Sequence, residues 1–172
     1  MTITLIGMPA VGKSCMGRAL SKKMNMKTID SDRLIESRTG KKLQQIIDEE
    51  GMDAFKKIEE ETLLSIEDDN VIITPGGSAI YYPAAMEHLK KKGIVVYLYA
   101  GYDVIIDRLG DYSQRGVVLK PGQTIRDLYD ERLPLLEKYA DIKVNCNGTS
   151  FGRYRINALK KIEKALEKAG QK

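Results

Sequence analysis

Short β-branched or apolar runs alternate with longer amphipathic stretches along this chain. TITLIG at 2–7 is bounded by glycine and predicts a buried strand. The same reading gives strands at 27–30, at 71–74 (VIIT), at 94–100 (IVVYLYA) and at 142–145. Between them the period lengthens to that of helices, at 13–24, 31–38, 42–49, 52–67, 83–92, 102–109, 124–140 and about 149–169. Thr124, with Asp127 three residues on, is close to a capping box. Ala158, Leu159, Ile162, Ala165 and Leu166 give the last helix one apolar face, and Gly170 ends it. Residues 110–123 are polar, carry Gly116, Pro121 and Gly122, and read as a mobile loop. Strands separated by helices predict an α/β protein whose parallel sheet is covered on both faces. In such sheets ligands bind beyond the carboxyl ends of the strands.

The length of 172 residues predicts one domain, and 42% hydrophobic with 30% charged residues predicts a folded core. Nowhere do 18 apolar residues run together, so no membrane-spanning helix is expected. The start, MTITLIGMPA, lacks a basic leader and a long apolar stretch, so no secretory signal is expected. Cys15 and Cys146 make neither a disulfide framework nor a zinc site, which predicts a reduced, cytoplasmic setting. His88 is the only histidine, which excludes a His–His metal site and a His-based triad. The net charge of +4 suits anionic ligands. The basic residues are scattered among 24 acidic ones, so no nucleic-acid partner is expected. Lys90, Lys91 and Lys92 precede Gly93 and read as cations at a helix C-terminus. No long exposed apolar stripe argues for assembly, and a monomer is expected.

Residues 7–14, GMPAVGKS, are G-x4-G-K-S between a strand and a helix. That context marks a phosphate loop. Gly7 and Gly12 permit the turn, and successive N–H groups at the helix start face a triphosphate. Lys13 neutralises the β- and γ-phosphates, and the Ser14 hydroxyl can reach Mg²⁺. Cys15 begins the helix, where a thiol pKa can fall, or it is a small residue packed under the loop. No guanine-recognition motif appears, and the chain is too short for the accessory domains of motors, so a small-molecule kinase is expected. Asp30 and Asp32 end the second strand, where residues two apart point to one side. Phosphoryl transfer needs one acid in the Mg²⁺ shell and another that takes the acceptor's proton. The alternative is helix capping by Ser31 or Asp32. Arg132 sits within an apolar stripe of Ile125, Leu128, Tyr129, Leu136 and Tyr139. An inward guanidinium needs an anionic partner, either a ligand or an inward carboxylate. Pro134 is expected to bend that helix.

In order and spacing these motifs resemble the shikimate kinases, small P-loop kinases related to the nucleoside-monophosphate kinases. GMPAVGKS, DSDRLIESRTG, EEGMDAFKKIEEE, the PGGS turn, Arg115 in its polar loop and ERLPLLEKYAD carry the resemblance along nearly the whole chain. It implies a three-layer α/β/α fold with a five-stranded parallel sheet in one domain, 1–172, with a helical substrate-binding region at about 31–62 and a mobile lid at about 110–122. The implied activity moves the γ-phosphoryl of ATP, with Mg²⁺, to the 3-hydroxyl of shikimate, a step of aromatic amino-acid biosynthesis. By resemblance, Gly7, Ala10, Val11, Gly12, Lys13, Ser14 and Cys15 hold the nucleotide, and Ser14 and Asp30 hold the metal. Asp32 binds the acceptor hydroxyls and serves as base, and Lys13 and Arg115 act on the transferring phosphate. Arg108 lies near the adenine, with the 145–148 turn as a second candidate. Gly76 and Gly77 line the acceptor, Arg132 grips its carboxylate, and Glu59 supports a substrate-binding arginine.

The chain departs from the family pattern at four places. Lys56 stands where the family has an arginine that binds the acceptor carboxylate; it keeps the charge but loses the planar fork, or it pairs instead with Glu59 or Glu60 and makes no acceptor contact. Pro75 replaces the first glycine of a triplet, Gly116 follows the lid arginine in place of proline, and Met52 replaces a glutamate. The first three touch acceptor recognition. Two alternatives therefore stand beside shikimate: another small hydroxylated carboxylate or polyol, and a nucleotide-binding regulatory protein without turnover.

Overall fold

Every strand segment read from the sequence is a strand, because each is a β-branched or apolar run between turn residues. The computed structural model describes residues 1–110, 117, 119–148 and 151–170. In chain order the elements are β1 (Thr2–Ile6), α1 (Lys13–Met24), β2 (Lys27–Asp30), α2 (Ser31–Thr39), α3 (Leu43–Glu50), α4 (Met52–Leu64), β3 (Val71–Thr74), α5 (Pro83–Lys92), β4 (Gly93–Tyr99), α6 (Tyr102–Leu109), α7 (Ile125–Tyr139), β5 (Ile142–Asn145) and α8 (Phe151–Gly170). A 3-10 turn, Ala79–Tyr81, precedes α5.

The five strands form one sheet in the order β2-β3-β1-β4-β5, and every pairing is parallel. All carboxyl ends therefore lie along one edge. The central β1 and β3 are buried throughout, whereas the edge strand β2 exposes Lys27 and Thr28. The chain leaves β1 toward β2, but leaves β3 and β4 in the opposite direction. Right-handed crossovers then put α1 and α5 on opposite faces. The crevice opens where these directions diverge, at the end of β1.

Ile3, Leu5, Ile72, Ile73, Val95, Val96 and Val144, all fully buried, fill the core from the sheet side. Met16 and Leu20 of α1 and Ala158, Ile162 and Leu166 of α8 cover it from the helices. A smaller cluster of Ile35, Ile46 and Phe55 joins α2, α3 and α4. The expected stripe of α7, from Ile125 to Tyr139, is buried with Arg132 inside it, and the helix continues through Pro134.

Several boundaries shift by a residue, and two helix ends differ from expectation in a way that side chains explain. The helix expected over 52–67 ends at Leu64, because Ser65 Oγ turns back onto the Thr62 carbonyl at 2.7 Å and competes with the helical ladder. The cap of α2 is Asp30, whose carboxylate accepts from the Arg33 N–H at 3.3 Å, not Ser31 or Asp32. The capping box of Thr124 and Asp127 is formed in full. Val117 and Leu119, within the expected lid, pack against the core, while Arg115 and Gly116 lie outside the described residues.

Candidate active site

The loop from Gly7 to Gly12 turns off the end of β1 and delivers its chain into α1. Gly12, the N-cap, has φ +101°, a conformation that favours glycine. A Cβ on Gly7 would stand 2.7 Å from the Leu98 carbonyl oxygen, so β4 also demands glycine there. Ala10 takes a left-handed turn at φ 62°. Val11 is buried under the loop, and its N–H is spent on the Met8 carbonyl at 3.3 Å. The first turn of α1 has no side-chain cap and no acidic residue. Its N–H groups and dipole are thus left to an anion. Cys15, in that first turn, is half-buried.

Lys13 folds back over the loop and donates to the carbonyls of Gly7 at 2.9 Å and Met8 at 3.4 Å. Loss of solvent around its ammonium, aided by the positive charge of Arg132, pushes its pKa down to about 8; Asp32 and Asp30 oppose that shift. An anion held beside it reverses the shift. Ser14 Oγ lies 3.4 Å from Asp30 Oδ2. Two hard oxygens on neighbouring elements, in front of the phosphate loop, are the donor type that Mg²⁺ accepts.

Asp32 lies in the first turn of α2, so the strand-to-helix turn brings it to the edge, rather than the extended alternation expected from the sequence. Burial, with the charge of Asp30 next, raises its carboxyl above the usual range against the pull of Lys13. The register of Asp30 against Thr74 sets this turn beside Gly76. Ser31 Oγ accepts from the Gly76 N–H at 3.0 Å and ties the two together. A Cβ on Gly76 would lie 2.9 Å from Asp32 Oδ1 and 3.1 Å from Glu59 Oε1. A Cβ on Gly77 would lie 2.7 Å from Arg132 Nη1. The two glycines thus admit three charged groups to the backbone of one turn.

Arg132 is only 7% exposed, yet among the described residues no carboxylate forms an ion pair with it. Glu59 is equally buried and accepts from Ser78 Oγ at 2.6 and 2.8 Å and from Tyr82 Oη at 2.7 Å. Burial raises its carboxyl and the two hydroxyls hold it down. Lys56, one turn earlier on α4, is exposed, and it pairs with neither Glu59 nor Glu60. At the far end of the crevice, Arg108 Nη2 donates to the carbonyls of Cys146 at 2.7 Å and Gly148 at 3.1 Å. The two candidates for the adenine end are therefore one bonded unit.

Lys13, Asp30, Asp32, Gly76, Gly77 and Arg132 converge, as the sequence reading expects; Lys56 stays outside this cluster. Ser78, Tyr81 and Tyr82 were not singled out in the sequence. Their position just after the paired glycines was the available signal. Such an arrangement can hold a polyphosphate at one end, and it offers a buried carboxylate and a buried guanidinium for a second ligand.

Comparison with known proteins points to one family. A family model described as shikimate kinase matches residues 9–166. A shikimate kinase of Bacillus anthracis is 40% identical over 119 residues, spanning 69% of this chain and 72% of that one. Another, of Clostridium botulinum, is 35% identical over 161 residues, spanning 93% and 95%. The solved structure of shikimate kinase from Acinetobacter baumannii in complex with shikimate superposes with a TM-score of 0.83 at 31% identity, over 97% of this chain and 93% of that one. The chain belongs to the shikimate kinase family, a family of ATP-using kinases.

Proposed function

We propose that the protein transfers the γ-phosphoryl group of ATP to the 3-hydroxyl of shikimate. The observation that carries this reading is the meeting of Lys13, Asp32 and Arg132 around the Gly76–Gly77 turn. The phosphate loop and α1 bind the polyphosphate, and Lys13 follows the charge that develops on the transferred group. Asp32, with its raised pKa, takes the proton of the attacking hydroxyl. Arg132 binds the acceptor carboxylate and orients the ring. Ser14 and Asp30 are the residues that would hold Mg²⁺, which supplies neutralising charge at the phosphates. Arg115, from the lid at about 110–122, reaches the same phosphate in this reading, and Arg108 supports the adenine end with the 146–148 turn. Cys15 and Cys146 form no disulfide, which fits a reducing, cytoplasmic setting. The reading takes the whole chain as one catalytic domain acting as a monomer on a small molecule, without nucleic-acid or membrane partners.

The test is ADP release from Mg·ATP with and without shikimate, with quinate and simple polyols alongside. Shikimate-dependent release is expected. A response only to another acceptor would assign a different substrate, and silence with retained ATP binding would leave a binding protein.

A further inference from the structure

Tyr81 has no part in the roles given so far, yet both its hydroxyl and its ring contact Arg132. Its hydroxyl carries one proton, and that proton goes to Glu131 Oε1 at 2.5 Å. The oxygen keeps its lone pairs for a donor. Arg132 Nε–H reaches that oxygen at 3.4 Å. The guanidinium carbon stands 5.5 Å from the centroid of the Tyr81 ring, within cation–π range. Nη1 of the guanidinium lies close to Gly77, 2.7 Å from where a Cβ would stand. Arg132 thus contacts the Gly77 backbone through Nη1 and an aromatic ring with its hydroxyl through Nε.

We propose that Tyr81 is a positioning residue: its ring and hydroxyl fix the plane of the Arg132 fork for a carboxylate-bearing acceptor, and Glu131 holds that hydroxyl in place. The proposal rests on the acceptor role given to Arg132. An arginine surpasses a lysine at such a site only when its planar fork is held in register with the carboxylate. A hydroxyl that donates to a carboxylate is also polarised into a better acceptor. Glu131 is itself anchored. Lys120 Nζ donates to its two oxygens at 3.2 and 3.0 Å, and Gln123 Nε2 donates at 3.2 Å. Lys120 comes from the C-terminal end of the segment read as the lid, and Gln123 follows directly after it. The bonds from Tyr81 and Lys120 keep the Glu131 carboxyl below its usual range, so it stays ionised and keeps the Tyr81 proton turned toward it.

Tyr81→Phe keeps the ring and deletes the hydroxyl. In Mg·ATP–shikimate kinetics the KM for shikimate should rise about tenfold, with kcat and the KM for ATP within about twofold. In an Arg132→Lys background the same substitution should add nothing, because a lysine has no plane to orient. Full additivity of the two changes, or a fall in kcat at unchanged shikimate KM, overturns the proposal. A second readout needs no turnover. The arginine Nε–Hε signal lost in Arg132→Lys identifies Arg132 in a ¹⁵N spectrum, and Tyr81→Phe should shift it and speed its exchange with water. An unmoved signal overturns the Tyr81 role whatever the acceptor. If the wild-type protein releases no ADP with shikimate, the substrate reading fails and this spectrum alone decides Tyr81. Should Tyr81→Phe not fold, Glu131→Gln leaves the ring and hydroxyl in place. It should move the same signal and raise the shikimate KM about threefold; no change in either overturns the proposal.

Discussion

Gly77→Ala is the smallest change that reaches the Arg132 guanidinium without altering it. Gly77 is not in the left-handed region, so alanine adds no backbone strain. The new methyl would lie 2.7 Å from Arg132 Nη1, 3.7 Å from Cζ and 3.9 Å from Pro9 Cγ. Contact distances begin at 3.0–3.4 Å, so the guanidinium must withdraw by about 0.3–0.7 Å. It is the tip of a flexible side chain, so the fold should barely notice: the expected change in Tm is under about 2 °C. Acceptor binding should notice. A 1 Å misplacement costs about 100-fold, and scaling the logarithm to this displacement gives roughly 4- to 25-fold. Steady-state ADP release should show that loss in kcat/KM for shikimate, with the KM for ATP within about twofold. An unchanged kcat/KM would remove Arg132 from acceptor recognition. An equal loss on the ATP side would mean that the damage travels through Pro9 into the phosphate loop. Gly76→Ala makes the harsher contrast. Its methyl meets Asp32 and Glu59, and Glu59 is pinned by Ser78 and Tyr82 and cannot retreat.

Asp32→Ala should abolish turnover while ATP affinity, measured by calorimetry, stays within about threefold; unchanged turnover would dismiss Asp32 as base. In the wild type the raised Asp32 pKa should end activity on the acid side at a higher pH than an ordinary carboxylate would, and a kcat/KM profile for shikimate reads that limb. Lys13, with a pKa of about 8, is partly neutral at pH 8.5, and the triphosphate restores its charge. Mg·ATP binding should therefore take up a proton at pH 8.5 and none at pH 6.5, as calorimetry in buffers of different ionisation enthalpy can show. Zero uptake at both would contradict the burial argument. Thr4 is buried in β1 with no partner for its hydroxyl among the described residues, so Thr4→Val should stabilise by about 1 kcal/mol, raising Tm by roughly 2–4 °C.

The parts of this protein that were legible in the sequence are local ones. β1, β3 and β4 are buried on both faces, so their β-branched and apolar runs mark them without any partner being known. The phosphate loop is a spacing of eight residues between one strand and one helix, and its chemistry is backbone chemistry. The Asp30–Asp32 pair was legible as a pair but not as geometry, because α2 starts one residue earlier than the extended reading requires. Contacts between distant segments were not legible. Tyr81 and Glu131 are 50 residues apart, and Glu59 meets Tyr82 across 23. No periodicity within either segment encodes such a meeting, which follows from sheet order and from α7 crossing above the turn after β3.

The same division runs through the chemistry. Lys13, Ser14, Asp30 and Asp32 sit on two strand-to-helix turns, and none of the sequence departures falls there. In the proposed reaction acceptor recognition draws on α4, the turn after β3 and α7, the elements that carry Lys56 and Pro75. Lys56 is exposed, so its charge is screened and cheap to move. Arg132 is buried and lacks an ion pair among the described residues, so its desolvation is offset by the Tyr81 hydroxyl and ring and by the more distant fields of Glu59 and Glu131. An acceptor carboxylate that completes this pair recovers that deficit on binding, which a carboxylate meeting Lys56 does not. In the proposed reaction the loss of a fork at position 56 is therefore tolerable. Discrimination for a carboxylated acceptor then depends on one guanidinium, and on whatever keeps its plane fixed.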